Sequence, residues 1–330
     1  MLNIRFYCAV ITSAIVAVIN PSLHASQNAN VQKPLPIIDM HAHAVYTSEE
    51  KFQEIYKEYR KHNVVKAVIS GPWETVELWK SMDVDDRLVA GLLMLDPDMD
   101  LGQFENLLKS RKLQVFGELV PLITGLTLSD PVWDPYLKLC DQYDIPVCVH
   151  TGKAVMDASF TKARLSLGDP YLIEPVLKKY PNLRVVLCHS GHEWHEHALM
   201  LMLSYPRLHS DLAWILWLDA NAMRHARDFL RNAKTAGCID RVLFGTDVGY
   251  RAQNAVEKSI VYLNSLDFLT EDEKRDILYN NAVRFLKLDA SSGQGSLGKG
   301  NSDSTTTDAH SAIVGDGYSK DTYTYHTDME

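Results

Sequence analysis

From Pro36 onward, short apolar runs rich in β-branched and aliphatic residues alternate with polar or amphipathic stretches of helical length. The runs are PIIDM (36–40), VVKAVIS (64–70), RLVAGLLML (87–95), LQVFGELV (113–120), IPVCVH (145–150), LRVVLCH (183–189), RLHSDLAWI (207–215) and DRVLFGTD (240–247). Between them lie segments such as SEEKFQEIYKEYRKHN and DPYLIEPVLKKYP, whose apolar positions recur at helical spacing. Several close on a proline break, Tyr180-Pro181-Asn182 and Tyr205-Pro206 among them, which stops a helix before the next strand. Near-continuous apolar strands separated by helices call for a parallel sheet covered on its outer face. Eight such units within about 250 residues predict an α/β fold, a (β/α)8 barrel over residues 37–288. A doubly wound open sheet is the alternative, but no G-x-G-x-x-G follows the first strand.

The two ends of the chain break this rhythm. Arg5 precedes an uncharged apolar run from Phe6 to Ile19, and Pro21 to Ala25 ends on a small residue. That pattern predicts a signal peptide over 1–25, cleaved after Ala25, although Leu23 departs from the usual small residue at the third position back. The apolar run falls short of the roughly 20 residues a membrane-spanning helix needs. The mature chain is therefore expected to be periplasmic or secreted, with no stable membrane anchor after cleavage. Residues 26–36 read as a linker. Beyond the closing helical segment DILYNNAVRFLKL, residues 289–330 turn to Ser, Thr, Gly and Asp, a low-complexity tail with too little apolar surface to offset its ordering entropy.

Composition narrows the partners. The formal net charge is −9 at pH 7, and no Lys/Arg cluster interrupts the sequence, so the electrostatic footprint of a nucleic-acid binder is missing. A small-molecule substrate is the expected partner. Export permits disulfides, and Cys140, Cys148, Cys188 and Cys238 lie beyond the leader. Cys148 and Cys188 sit inside apolar strand-like runs, where a free buried thiol acting as a small hydrophobe is the favoured reading.

In a barrel of this kind, active sites gather at the C-terminal ends of the strands. His41 and His43 follow the first apolar run, Glu118 ends the fourth, His150 closes the fifth, His189 closes the sixth and Asp247 follows in the eighth. Residues at i and i+2 on a strand share a face, so both histidines of HAH can aim at the barrel axis. One histidine at a strand end carries little weight. Six ligand-type residues from strands that must converge predict a metal site. Asp39 is expected on the same face one step deeper, either orienting a ligand or bound to backbone as a buried carboxylate. His192, His195 and His197 fall where a helix starts after the sixth strand and read as loop-packing or solvated residues. Trp194 is a packing residue or a wall of the substrate pocket. The loop after the fifth strand carries Lys153, Lys162 and Arg164, and Arg251 follows Asp247; an arginine there either clamps a substrate carboxylate or is ordinary surface charge.

These motifs carry a family resemblance. DMHAH, PVCVHTG, VVLCHSGHEW and VLFGTD, with LGDPYLIEPVLKKYPNLRVVLCHSG and ILYNNAVRFLKL, resemble the amidohydrolase superfamily, specifically its amidohydrolase-related group of TIM-barrel metal-dependent hydrolases. The resemblance covers about 37–288 and implies divalent metal, one ion or two. It implies that His41 and His43 hold the more buried ion with Asp247, that Glu118 stands where relatives place a bridging carbamate or glutamate, and that His150 and His189 hold a second ion. No lysine stands on strand four, so no carbamate is expected. With one ion, His189 is free to act as acid, base or electrophile. The overlapping preferences of N/O sites put zinc first, with manganese or iron as the other candidates.

Three functions compete on these residues. The first is a hydrolase of a small amide, ester or lactone, with Asp247 and His189 as the catalytic groups; it is favoured by Glu118 and by HSG in place of the H-x-G-E that follows strand six in the family's decarboxylases. The second is a one-metal decarboxylase or hydratase of a small carboxylic acid. The third is a secreted metal-binding protein without turnover, although structural zinc sites are usually closed by four protein ligands, often cysteines. The resemblance also favours a homodimer or larger assembly.

Overall fold

The computed structural model describes residues 35–154, 160–249 and 254–288. The expected leader and tail, and nearly all of the linker, lie outside them. Eight parallel strands follow one another around the sheet in chain order. They are β1 (Ile37–His43), β2 (Val64–Gly71), β3 (Leu88–Met94), β4 (Val115–Leu119), β5 (Val147–His150), β6 (Val185–Cys188), β7 (Leu208–Asp211) and β8 (Val242–Leu243). The ring is drawn shut where β1 meets the chain beyond β8. There Met40 N–H donates to Phe244 O at 2.9 Å, His43 N–H to Val248 O at 2.7 Å, and Asp247 N–H to His41 O at 2.7 Å. A parallel bridge between Ala42 and Val248 completes the seam. The fold is the (β/α)8 barrel, not the open sheet.

Strand alternation sorts the side chains. Ile38, Met40, Val68, Val89, Val115, Cys148, Val186 and Leu243 form one interior cluster, while their neighbours pack against the surrounding helices. The helix after β1, α1 (Glu49–Lys61), buries Phe52, Tyr56 and Tyr59, and its first turn is capped by Ser48. Next come α2 (Trp73–Ser81) and α3 (Leu101–Lys109), the latter capped by Asp100, which accepts from Gln103 N–H. The circuit continues with α4 (Asp134–Tyr143), α5 (Glu174–Lys179), α6 (His195–Ser204), α7 (Ala220–Thr235) and α8 (Ala255–Ser265). After α9 (Glu271–Arg275), α10 (Asn281–Leu286) lays Ala282 and Phe285 against the interior cluster at the end opposite the strand C-termini. Arg184, just before β6, donates to Phe285 O there, and Asn281 Nδ2 donates to Val242 O at 2.7 Å. No helix among the described residues is long and apolar enough to cross a membrane. Cys140, Cys148, Cys188 and Cys238 are buried free thiols.

β1 runs on to His43 and β8 stops at Leu243; two further boundaries differ from the sequence reading, each for a physical reason. The apolar run RLHSDLAWI leaves the sheet at Asp211, because that carboxylate accepts from Ala213 N–H at 3.0 Å and turns the chain. Leu212, Ala213 and Ile215 are nonetheless fully buried in the loop, so the apolar run reports burial and not strand. His189 follows β6 instead of closing it, in a left-handed conformation that starts the turn to α6.

Phe285 tests the plug. It is 2% exposed, so Phe285→Ala should cost about 3–5 kcal/mol of unfolding free energy by removing a packed ring, read as a lower denaturant midpoint. The distant strand ends should keep their metal content. A midpoint within about 0.5 kcal/mol of the parent would mean that α10 does not close the barrel.

Candidate metal centre

The site begins with an irregularity in β1. Pairing with β2 shifts register between Asp39 and Ala42, and a slip of one residue moves side chains to the other face of a strand. Met40 therefore belongs to the barrel interior while His41 and His43 also meet there, with Nε2 atoms 3.2 Å apart. Asp39 does not share their face as expected. Its carboxylate accepts from Thr246 Oγ1 at 2.6 Å, Thr246 N–H at 3.0 Å and His41 N–H at 3.1 Å, with Tyr59 of α1 at 3.4 Å. Of the two roles considered for it, the backbone-binding one is observed. Burial pushes its pKa up to about 6, against the pull of these hydrogen bonds.

Glu118 reaches the axis from β4. Gly117 has φ +141°, and a Cβ there would stand 2.2 Å from Cys148 O, so only glycine lets the chain pass at this point. The Glu118 carboxylate faces two histidine pairs at once. Oε2 lies 3.6 Å from His41 Nε2 and 3.5 Å from His43 Nε2; Oε1 lies 2.8 Å from His150 Nδ1 and 3.1 Å from His189 Nε2. Asp247 completes the first group, with Oδ1 2.8 Å from His43 Nε2 and 3.8 Å from His41 Nε2. All six residues named from the strand ends thus meet in one place.

The outward partners of the rings decide what the inward nitrogens can do. His41 Nδ1 donates to Asp211 Oδ2 at 3.0 Å, His189 Nδ1 to Ala213 O at 3.0 Å, and His150 Nε2 to Lys153 O at 3.2 Å. A carbonyl or an ionised carboxylate only accepts, so each of these rings carries its proton on the far nitrogen. The near nitrogens of the neutral rings are lone pairs, and they converge on the carboxylates of Glu118 and Asp247. Such a set is satisfied by cations. Burial opposes charge on His41, but Asp211 and Glu118 outweigh it and hold its pKa well above the usual value. Burial would likewise raise Glu118, yet His41 and His150 hold it well below the carboxylate range.

The spacing also fits metal. Ligands about 2.1 Å from a tetrahedral ion stand roughly 3.4 Å apart, close to the separations within His41, His43, Glu118 and Asp247. His41, His43 and Asp247 form one group with metal-ligand spacing, and His41, Glu118 and His189 another. Cys188 also approaches His41 and Asp211, but burial pushes its thiol pKa far up, so it stays a protonated hydrophobe.

Asp211 was not foreseen. It orients His41, and its other oxygen accepts from His189 N–H at 2.9 Å, so one carboxylate sets two candidate ligands. Its signal was present in RLHSDLAWI, where an acidic residue inside an apolar run must find a partner once buried.

A cavity of about 570 Å³ opens above the centre, with His43, Glu118, His150, His189 and Asp247 among its lining. Its aromatic lining is Phe160 with Trp214 and Trp217, the two indoles coming from the loop after β7. Trp194 is half-buried in the turn before α6 and does not line it. Arg164 is exposed and also off the lining, and Arg251 lies outside the described residues. His192 packs near Trp214 and His225, and His197 stacks on Tyr171 with centroids 4.2 Å apart.

A family model described as amidohydrolase matches residues 74–288. The match begins beyond β1, so His41 and His43 are placed by the barrel itself. An uncharacterised TIM-barrel protein from Bordetella bronchiseptica is 19% identical, with a TM-score of 0.57 over 79% of this chain and 100% of that one. A probable 2-pyrone-4,6-dicarboxylic acid hydrolase from Acinetobacter baumannii is 17% identical, with a TM-score of 0.58 over 77% and 100%. 5-Carboxyvanillate decarboxylase from Sphingomonas paucimobilis is 12% identical, with a TM-score of 0.51 over 77% and 99%. At these identities the likeness is one of fold. A search of curated proteins returns no match.

Asp211→Asn separates orientation from ligation. The amide keeps the shape but loses the charge that holds His41, so metal affinity should fall about 10- to 100-fold, measured by competition with a chromophoric chelator. Unchanged affinity would make Asp211 a purely structural carboxylate.

Proposed function

Because the chain belongs to the amidohydrolase family, we propose that it is a metal-dependent hydrolase that uses activated water to cleave an amide, ester or lactone bond of a small molecule. The observation that carries this reading is Glu118, whose two oxygens face the His41/His43 pair and the His150/His189 pair separately. A carboxylate so placed suits two ions. His41, His43 and Asp247 would hold one, His150 and His189 the other, with Glu118 between them. Four imidazoles and two carboxylates suit zinc first, with manganese or iron as the other candidates.

Bound divalent metal lowers the pKa of water toward neutrality and polarises a carbonyl. The chain's own residues do the rest. Asp247 lines the cavity as an anion: burial opposes its charge, but His43 and His41 hold its pKa below the usual value. It is the base that takes a proton as a water oxygen bonds to the carbonyl carbon. It returns that proton to the departing oxygen or nitrogen as the old acyl bond breaks, leaving an acid and an alcohol or amine. His189, locked by Ala213 O, keeps its Nε2 toward the reacting side. The apolar leader at the N-terminus supports action outside the cytoplasm.

The alternative is a one-metal decarboxylase or hydratase, and a metal count divides the two. Elemental analysis of protein purified without chelator should give two ions per chain, falling to one in Glu118→Ala. Hydrolysis of an ester, amide and lactone panel should drop about 100-fold or more in that variant. One ion in both proteins, with CO2 released from an unsaturated or aromatic acid, would replace the hydrolase with the lyase.

A further inference from the structure

The lining of the cavity above the centre is divided sharply by chemistry. Among the described residues, its polar side chains are those of the centre itself: His43, Glu118, His150, His189 and Asp247. The remainder is hydrocarbon and indole, with Val120, Ile123, Phe160, Trp214, Trp217 and Leu218 forming the walls and Leu95 the rim. No Lys, Arg, Ser, Thr, Asn or Gln side chain stands on the described lining. Of the two indoles on the described lining, Trp217 has its donor already used, since its Nε1–H donates to Thr246 O at 2.6 Å. Trp217 therefore lines the cavity with no indole hydrogen bond left to offer.

A substrate's reacting carbonyl finds every polar group it needs on the floor. Its remaining atoms find apolar wall among the described residues. A carboxylate, phosphate or ammonium on that remainder would lose its water with no partner on the described lining to replace it, which costs several kcal/mol. The volume, about 570 Å³, suits a small molecule with one or two rings.

We propose that the substrate is an uncharged ester or lactone with an apolar, aromatic body, seated against Trp214 and Trp217 with its carbonyl toward Glu118 and Asp247. The class of bond rests on the hydrolase reading above; the uncharged apolar body rests on the walls alone. This makes Trp214, Trp217 and Leu95 residues of specificity.

The test uses the metal-loaded enzyme and two lactones that share one reacting ring, δ-phenyl-δ-valerolactone and its para-carboxyphenyl analogue. Hydrolysis and quenching of tryptophan fluorescence are both followed. The phenyl lactone should exceed the carboxylated one by roughly 100-fold in kcat/KM and in affinity, the scale of an unpaired buried charge. Leu95, 37% exposed at the rim, tolerates a longer side chain. Leu95→Arg should cut the ratio at least tenfold, chiefly by improving the carboxylated lactone. Equal or better turnover and binding of the carboxylated lactone by the parent enzyme would overturn the substrate class and leave the hydrolase standing. Tighter binding of the phenyl lactone with neither ring opened would do the reverse, upholding the apolar body and removing the hydrolase reading.

Discussion

The seam that closes the barrel is the constraint on which the centre depends. β1 and the segment from Phe244 to Val248 are joined by main-chain hydrogen bonds at Met40, His41 and His43, and that seam places His41, His43 and Asp247 side by side. Asp39 holds it from the helix side, accepting from Thr246 twice and from His41 N–H. Closing the sheet and assembling the first ligand group are thus one event. Gly249 belongs to it as well: with φ +140°, a Cβ there would come within 2.5 Å of His43 O, so the chain can pass over β1 only without a side chain.

The carboxylates divide into three kinds by what they touch. Asp39 touches backbone and hydroxyls, Asp211 touches the outer nitrogen of one histidine and the backbone of another, and Glu118 and Asp247 face the inner nitrogens. All four are buried or nearly so, and none has a Lys or Arg partner among the interactions described. The charges of Asp211, Glu118 and Asp247 are answered chiefly by imidazole, which is why His41 and His189 hold raised pKa values where burial alone would depress them. A centre balanced in this way exchanges protons for divalent cations with little rearrangement. The rings are held in their tautomers by Asp211, Ala213 O and Lys153 O before any ion arrives.

Much of this was legible in the chain. Eight apolar runs predict the barrel because a parallel strand is buried on both faces, and the strand-end rule then brings His41, His43, Glu118, His150, His189 and Asp247 together. What escaped reading has identifiable causes. The face of Asp39 depended on a register shift, which leaves no mark in an alternating pattern. Asp211 was hidden in a run read as strand to Ile215, where burial of the loop kept hydrophobicity high after the strand had ended. The pocket wall was sought at Trp194, which belongs to the turn before α6, while Trp214 and Trp217 occupy the longer path from β7 to α7.

That last displacement separates two levels of information. His41, His43, Glu118 and His150 sit on strands, His189 one residue beyond β6 and Asp247 on the seam segment beyond β8, where position is dictated by hydrogen bonding around the ring and a sequence spacing translates directly into place. Walls come from loops, whose path is chosen by burial and by single contacts such as Trp217 Nε1–H to Thr246 O. The chemistry of the floor is therefore a property of the barrel, shared by any chain that closes it with the same strand-end residues. The choice of substrate is a property of the loops. In this protein the loop after β7 contributes indoles and leucine to the cavity, apolar surface against which the matching part of a substrate would shed its water.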